Sequence, residues 1–437
     1  MNLTSRGIVA VLALGFAAAS AAPDAAAKGK PASSGSGKSA PAKSGPKDIV
    51  SGTAKNGMPW HVRMPSDGAP ATKERPAIVI FHGSNGRSMD YVFTIANAWP
   101  QLRDDYVLIG LDGERAPKST PEEPFFNYTY VTFEGKSTMH YGGDQRQSPA
   151  LVAEALAELK EKFHVSRFFV GGHSQGGFLT YFLAMHYPDL IAGAFPISGG
   201  MTFQCEPTAF DDEKVREAQR RLPIAIVHAK NDPVVEFGMS RYAIEAYEDQ
   251  DFPLARLFAP ADGQHMFAML PVDEAIRWLE TMASKDAGDL VAYARKRLEE
   301  DPRDAAAALV RARIVDEGGK QRAAIEAVEE HLEAAAKAKA PDLEKAIRAN
   351  KDSKWVEDFF DFRSKYATTA AAKGVLAAYE SLRDKHQRKA DALWAEARGA
   401  FQSGAKDKGY KAYEEVVAKW YASSWYRLAK HSLDERK

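Results

Sequence analysis

Phe168-Phe169-Val170-Gly171-Gly172-His173-Ser174-Gln175-Gly176-Gly177-Phe178-Leu179-Thr180-Tyr181-Phe182-Leu183 is the stretch on which the fold turns. Its first three residues are apolar, β-branched or aromatic, as in a buried strand, and its last six have the composition of a helix that packs. Between them Ser174 stands at the centre of Gly-x-Ser-x-Gly. A strand that turns sharply into a helix at that motif is a nucleophile elbow. The glycines follow from the geometry. A serine held in a strained backbone conformation with its hydroxyl exposed needs neighbours that carry no Cβ.

The same alternation extends on both sides. Ala77–Phe81, Val107–Leu111, Phe168–Val170, Ala194–Ile197, Ile224–Val227 and Arg256–Phe258 read as short apolar strands. Pro149–Phe163 and Ser240–Gln250 read as helices between them. Continuous apolar strands alternating with helices predict a mostly parallel sheet covered on both faces. Ile49–Thr53 and Trp60–Met64, separated by Asn56-Gly57, predict an antiparallel hairpin at its edge.

Two further features lie at the ends of later strands. Asp232 follows Ile224–Val227 within His228-Ala229-Lys230-Asn231-Asp232-Pro233-Val234. His265 follows Leu257-Phe258 within Asp262-Gly263-Gln264-His265-Met266-Phe267. In a parallel sheet the carboxyl ends of the strands share one edge, so residues distant in sequence can meet there.

Ser174-Gln175-Gly176-Gly177, Tyr187-Pro188-Asp189-Leu190, Pro196-Ile197-Ser198-Gly199 and the surroundings of Asp232 and His265 make residues 48–284 resemble an α/β-hydrolase. Within that fold they are similar to the carboxylesterase/phospholipase group and to secreted poly(3-hydroxybutyrate) depolymerase and feruloyl-esterase relatives. The resemblance implies a serine ester hydrolase in which Ser174, Asp232 and His265, in that chain order, form the catalytic triad. His265 would take the serine proton and Asp232 would hold its imidazole. The oxyanion hole would be made by the backbone N–H of Gln175 and that of Ser84, within Phe81-His82-Gly83-Ser84-Asn85-Gly86. No cofactor is implied, and the partner is a small or polymeric ester. Asp262 and Asp144 are the substitutes for Asp232, and His82 and His173 read as structural neighbours. The motif fixes acyl transfer but not the leaving group, so a peptidase or amidase with the same triad stays open. So does a non-catalytic hydrolase fold that binds a partner.

A length of 437 residues suggests roughly two to three domains. A net charge of −1 gives no reason to expect nucleic acid, and no His-Glu-x-x-His or paired-cysteine motif suggests a metal. Arg6, the apolar run Ile8–Ala19 and the small residues Ala19-Ser20-Ala21 form a signal peptide over residues 1–21, so the chain is expected to be exported. The run has about twelve residues against the ~20 of a membrane span, so no integral span is expected after cleavage. Residues 22–47 are Ala, Pro, Gly, Ser and Lys, with Lys28, Lys30, Lys38, Lys43 and Lys47 and no acid after Asp24, and read as a flexible spacer. Its Gly35-Ser36-Gly37-Lys38-Ser39 is half a phosphate loop without a preceding strand, and is discounted. The sole cysteine, Cys205, has no internal disulfide partner.

After Met282 alanine, lysine, arginine and glutamate dominate and strand signals vanish. Residues 285–437 therefore read as all-α, with breaks expected at Asp301-Pro302, Gly318-Gly319, Ala340-Pro341, Gly374 and Gly404 to Gly409. Leu393–Tyr421 resembles a tetratricopeptide helix pair, with Trp394, Ala397 and Phe401 on one helix and Ala412, Tyr413 and Val416 on the other; an irregular bundle fits as well. Such a region would pack against the hydrolase or engage a protein partner. Finally, the aromatic run Phe125–Phe133, continuing to His140-Tyr141, is either a substrate wall or a core-packed hairpin. It includes the formal glycosylation sequon Asn127-Tyr128-Thr129.

Overall fold

The computed structural model describes residues 48–66, 73–115, 119–120, 124–128, 148–201, 213–423 and 425–435. The expected signal peptide and spacer, Cys205, Asp144 and the aromatic run beyond Tyr128 lie outside these residues. The strands are β1 (Val50–Thr53), β2 (Pro59–Arg63), β3 (Arg75–Phe81), β4 (Val107–Leu111), β5 (Glu114–Arg115), β6 (Phe126–Asn127), β7 (Val165–His173), β8 (Gly193–Ile197), β9 (Ile224–Val227) and β10 (Ala255–Phe258). Eight of them form one sheet in the order β1-β2-β4-β3-β7-β8-β9-β10, and β5 pairs with β6 separately. β1 and β2 form the expected edge hairpin, turning at Gly57 with φ of +89°. β2 runs antiparallel to β4, and every later pairing in this sheet is parallel.

Alternation along the central strands builds two apolar layers. Ala77, Val79 and Phe81 of β3 face α3 (Ser148–Lys162) and α4 (Gln175–His186), whose Leu156, Leu159 and Leu179 share their cluster. Ile78 and Ile80 point the other way, into the cluster of α1 (Ser88–Ala98) and α7 (Val272–Met282), with Ile95, Ile276 and Leu279. α2 (Pro100–Asp105), α5 (Glu213–Ala218) and α6 (Phe237–Asp249) complete the α/β part.

The described residues from Ala287 on form seven helices and their connections: α8 (Ala287–Arg297), α9 (Pro302–Val315), α10 (Arg322–Ala349), α11 (Trp355–Tyr366), α12 (Ala372–Gln402), α13 (Lys406–Lys419) and α14 (Tyr426–Glu435). The cluster holding Leu279 and Met282 continues without a gap into Leu290, Leu309, Ile325, Phe359 and Tyr379. Polar contacts reinforce the junction. Asp304, 1% exposed, pairs with Arg256 of β10 and accepts from Trp278 Nε1 (3.1 Å) and the Tyr293 hydroxyl (3.0 Å). Arg303 donates to the Ala255 carbonyl at 2.8 Å, and Arg311 to that of Met282 at 2.9 Å.

The expected helix breaks are met at Asp301, which caps α9 ahead of Pro302, at the Gly318-Gly319 turn and at Gly404 with φ of +78°. The break expected at Ala340-Pro341 is not there. α10 runs through Pro341, because Ala336, Ala340, Leu343 and Ile347 keep one buried face on both sides of it and that packing outweighs the hydrogen bond a proline cannot donate. Gly374 and Gly409 likewise fall inside α12 and α13, near their starts. The end of α12 and α13 form the helix pair expected over Leu393–Tyr421, with Trp394 stacked on Tyr413 at 5.2 Å and on Trp425, just before α14, at 4.4 Å. Among the described residues no helix is long and apolar enough to cross a membrane.

Candidate active site

Strand register sets where the site lies. Phe81 pairs with Gly172, His173 with Ile197, Ile197 with Val227 and Val227 with Phe258, so the loops after β3, β7, β9 and β10 leave the sheet side by side. Ser174 occupies the turn between β7 and α4 with φ 54° and ψ −117°, a conformation that costs on the order of 1–3 kcal/mol for a residue other than glycine. Surrounding structure holds it there. Its N–H donates to Ile197 O at 2.9 Å and its carbonyl accepts from Gly177 N–H at 2.8 Å. A Cβ on Gly172 would lie 2.4 Å from Gly176 O, and one on Gly176 would lie 2.6 Å from Phe81 O. The two glycines thus let strand, turn and helix close on one another.

Asp232 and His265 meet. His265 Nδ1 donates to Asp232 Oδ2 at 2.7 Å. The carboxylate is wholly buried, and its other oxygen accepts from the N–H groups of Val234 (2.9 Å) and Val235 (3.0 Å). His228 Nε2 lies 3.2 Å from Oδ2 as well. Burial alone would raise this carboxyl's pKa. The hydrogen bonds from His228, His265, Val234 and Val235 more than offset that and hold it well below the usual carboxylate range. Asp262, the substitute, is exposed and is bonded by Asn231 at 3.3 Å.

Ser174 is partly exposed at the same edge, and its hydroxyl has no hydrogen-bond partner among the described residues. It is linked to His265 through its neighbour: the His173 ring lies 4.5 Å from that of His265, centroid to centroid.

The loop after β3 approaches from the other side. A Cβ on Gly83 would stand 3.3 Å from Ser174 Cβ. Next in the chain, Ser84 is exposed, and its N–H donates to no described residue. Asn85 takes φ of 56° and exchanges two 2.9 Å hydrogen bonds with the Asn127 side chain. Phe126 N–H adds a bond to Gly86 O at 3.1 Å. Gln175, whose backbone opens α4, grips the same segment with its side chain: Oε1 accepts from Tyr128 N–H at 3.0 Å and Nε2 donates to Tyr128 O at 3.2 Å. Elbow and loop are therefore tied together through residues 126–128.

The start of the aromatic run divides between core and surface. Tyr128 is buried against Phe81 and stacked on His82 at 4.3 Å, as core packing requires, while Phe125 is exposed. Asn127 is fully buried with its amide engaged, so this sequon asparagine is committed to the fold. His82 is structural too. Its Nδ1 donates to Gly83 O at 2.7 Å, its Nε2 accepts from Gly113 N–H at 3.3 Å, and burial lowers its pKa. Sequence reasoning missed Asn127, His228 and Tyr91, which bonds His173 Nδ1 at 2.9 Å. His228 carried only its place four residues before Asp232 in the same loop. The others carried none. Among the described residues, His, Cys, Asp and Glu do not gather in threes as metal ligands would.

Known proteins resemble parts of this chain. The phospholipase/carboxylesterase family profile matches residues 68–251, a span that holds Ser174 and Asp232. A bifunctional acetylxylan esterase/xylanase from Neocallimastix patriciarum is 30% identical over 101 residues, 23% of this chain and 14% of that protein. A thermostable esterase of known structure is 21% identical, with 53% of this chain and 62% of that one aligned and a TM-score of 0.39. Est1E from Butyrivibrio proteoclasticus is 16% identical, with 54% and 99% aligned and a TM-score of 0.36. The chain carries an α/β-hydrolase domain, and phospholipase/carboxylesterase is the family that it matches over residues 68–251.

Proposed function

We propose that this protein is an exported serine hydrolase that cleaves carboxylic esters through Ser174, His265 and Asp232. The observation that carries the reading is the buried Asp232 carboxylate bonded at 2.7 Å to His265 Nδ1, on the sheet edge where Ser174 holds its strained turn. With Nδ1–H committed to Asp232, His265 keeps Nε2 free to accept a proton. A serine hydroxyl is a weak nucleophile at neutral pH, so His265 takes its proton as Oγ attacks the ester carbonyl. Asp232 fixes the imidazole tautomer and stabilises the imidazolium that forms.

The N–H groups of Ser84 and Gln175 receive the negative charge that develops on the carbonyl oxygen. Loss of one such donor costs about 10²–10³ in turnover. His265 then returns its proton to the departing alcohol, and water repeats the cycle on the acyl-enzyme. The helices from α8 onward act as a buttress to this unit, a role supported by the apolar cluster they share with α7.

p-Nitrophenyl esters of increasing chain length, assayed beside aminoacyl anilides, test the reaction. Faster ester cleavage that disappears in Ser174→Ala is expected; equal or faster anilide cleavage would make the enzyme an amidase. Export is tested by amino-terminal sequencing of the mature protein, expected to begin at Ala22.

A further inference from the structure

The hydroxyl of Tyr91 is placed where two halves of the site meet. It lies 2.9 Å from His173 Nδ1 and accepts from Gly83 N–H at 3.3 Å. Gly83 adjoins Ser84, the candidate donor of the oxyanion loop, and His173 both precedes Ser174 and packs its ring on His265. Phe267, two residues beyond His265, closes over the pair, with ring centroids 4.9 Å from Tyr91 and 6.0 Å from His173. Trp99 backs Phe267 at 5.7 Å.

The protons of this cluster can be assigned. Burial raises the Tyr91 pKa to about 12, so the phenol keeps its hydrogen. Burial, aided by the proximity of His265, lowers the His173 pKa to about 3, so its ring is neutral. Gly83 N–H occupies a lone pair of the phenol oxygen, and the phenol hydrogen is left for His173 Nδ1. The ring hydrogen of His173 then sits on Nε2, which is buried and faces the His265 backbone. A neutral ring beside His265 does not repel the imidazolium that catalysis forms there, whereas a charged one would.

We propose that Tyr91 and His173 are positioning residues, a relay in which one phenol hydroxyl sets the distance between the oxyanion loop and the imidazole packed on His265. The inference rests on the ester-hydrolase reading above. Neither side chain touches the reacting atoms; both act through Gly83 and His265. Removing the hydroxyl frees the loop and the imidazole to shift separately, and transition-state alignment suffers more than substrate binding.

The test compares wild type, Tyr91→Phe, His173→Asn, His173→Leu and the Tyr91→Phe/His173→Leu double variant with p-nitrophenyl acetate. Tyr91→Phe keeps the ring that packs on Phe267 and loses only the hydroxyl. Its kcat should fall about 10- to 100-fold with KM within about twofold. His173→Asn places an amide oxygen near the position of Nδ1 and should recover most of the activity that His173→Leu loses. The double variant should be no slower than the slower single variant, because both break one relay. Tyr91→Phe with wild-type kcat, or losses that multiply in the double variant, would overturn the relay while leaving the hydrolase reading intact. A wild-type protein that turns over no ester would remove that reading and the relay with it.

Discussion

Asp232 carries four contacts on two buried oxygens, which makes its ionisation a matter of stability as well as of chemistry. Its folded pKa lies below the unfolded value of about 4. The charged form therefore stabilises the fold above that pH, and the contribution is lost as pH falls below it. In Asp232→Asn, the denaturant midpoint should fall less between pH 5 and pH 3 than in wild type; parallel slopes would contradict the assignment. The same substitution should lower kcat by about 10⁴-fold, since the Val234 and Val235 N–H groups hold the amide oxygen and the amide NH2 then donates to His265 Nδ1, which fixes the wrong tautomer. The meeting of Asp232 with His265, and the strained turn of Ser174 at the same sheet edge, were legible in the sequence because strand order and the glycine frame dictate both. Tyr91 and Asn127 were not. Their partners lie 82 and 42 residues away, and nothing local marks a tyrosine or asparagine for such a contact.

Strand positions followed from the apolar runs closely, since a strand buried on both faces tolerates little else; Val107–Leu111 and Ile224–Val227 have the bounds their composition suggests. Helix ends were less readable. Pro341 is a local signal to stop that the buried face of α10 overrides, and only packing partners distant in sequence reveal this. The elbow is the opposite case, where local sequence and tertiary contact agree. Gly176→Ala would push a methyl group to 2.6 Å from Phe81 O and 2.7 Å from Phe81 Cβ, between α4 and β3. Overpacking of this kind costs typically about 1–3 kcal/mol. A lowered melting temperature together with loss of turnover is expected, and unchanged values of both would mean that the helix can move away freely.

Across the whole molecule, one apolar cluster joins the sheet to the carboxyl-terminal helices, so the change of composition after Met282 marks no gap in the core. A chain ending at Ser284 would strip the side chains of the later helices from the shared apolar cluster and leave Arg256 without Asp304. It should be poorly soluble and nearly inactive, and in the full chain turnover and helical circular dichroism should be lost in one thermal transition. A soluble fragment with full turnover would make the helices an appendage. The central claim is nucleophilic catalysis by Ser174, and active-site labelling with a fluorophosphonate followed by peptide mass analysis addresses it most directly. Stoichiometric labelling on Ser174 of the folded wild-type protein, abolished in Ser174→Ala and greatly slowed in His265→Ala, is the predicted result. Absence of labelling in the folded wild type, or labelling that persists in Ser174→Ala, would contradict it.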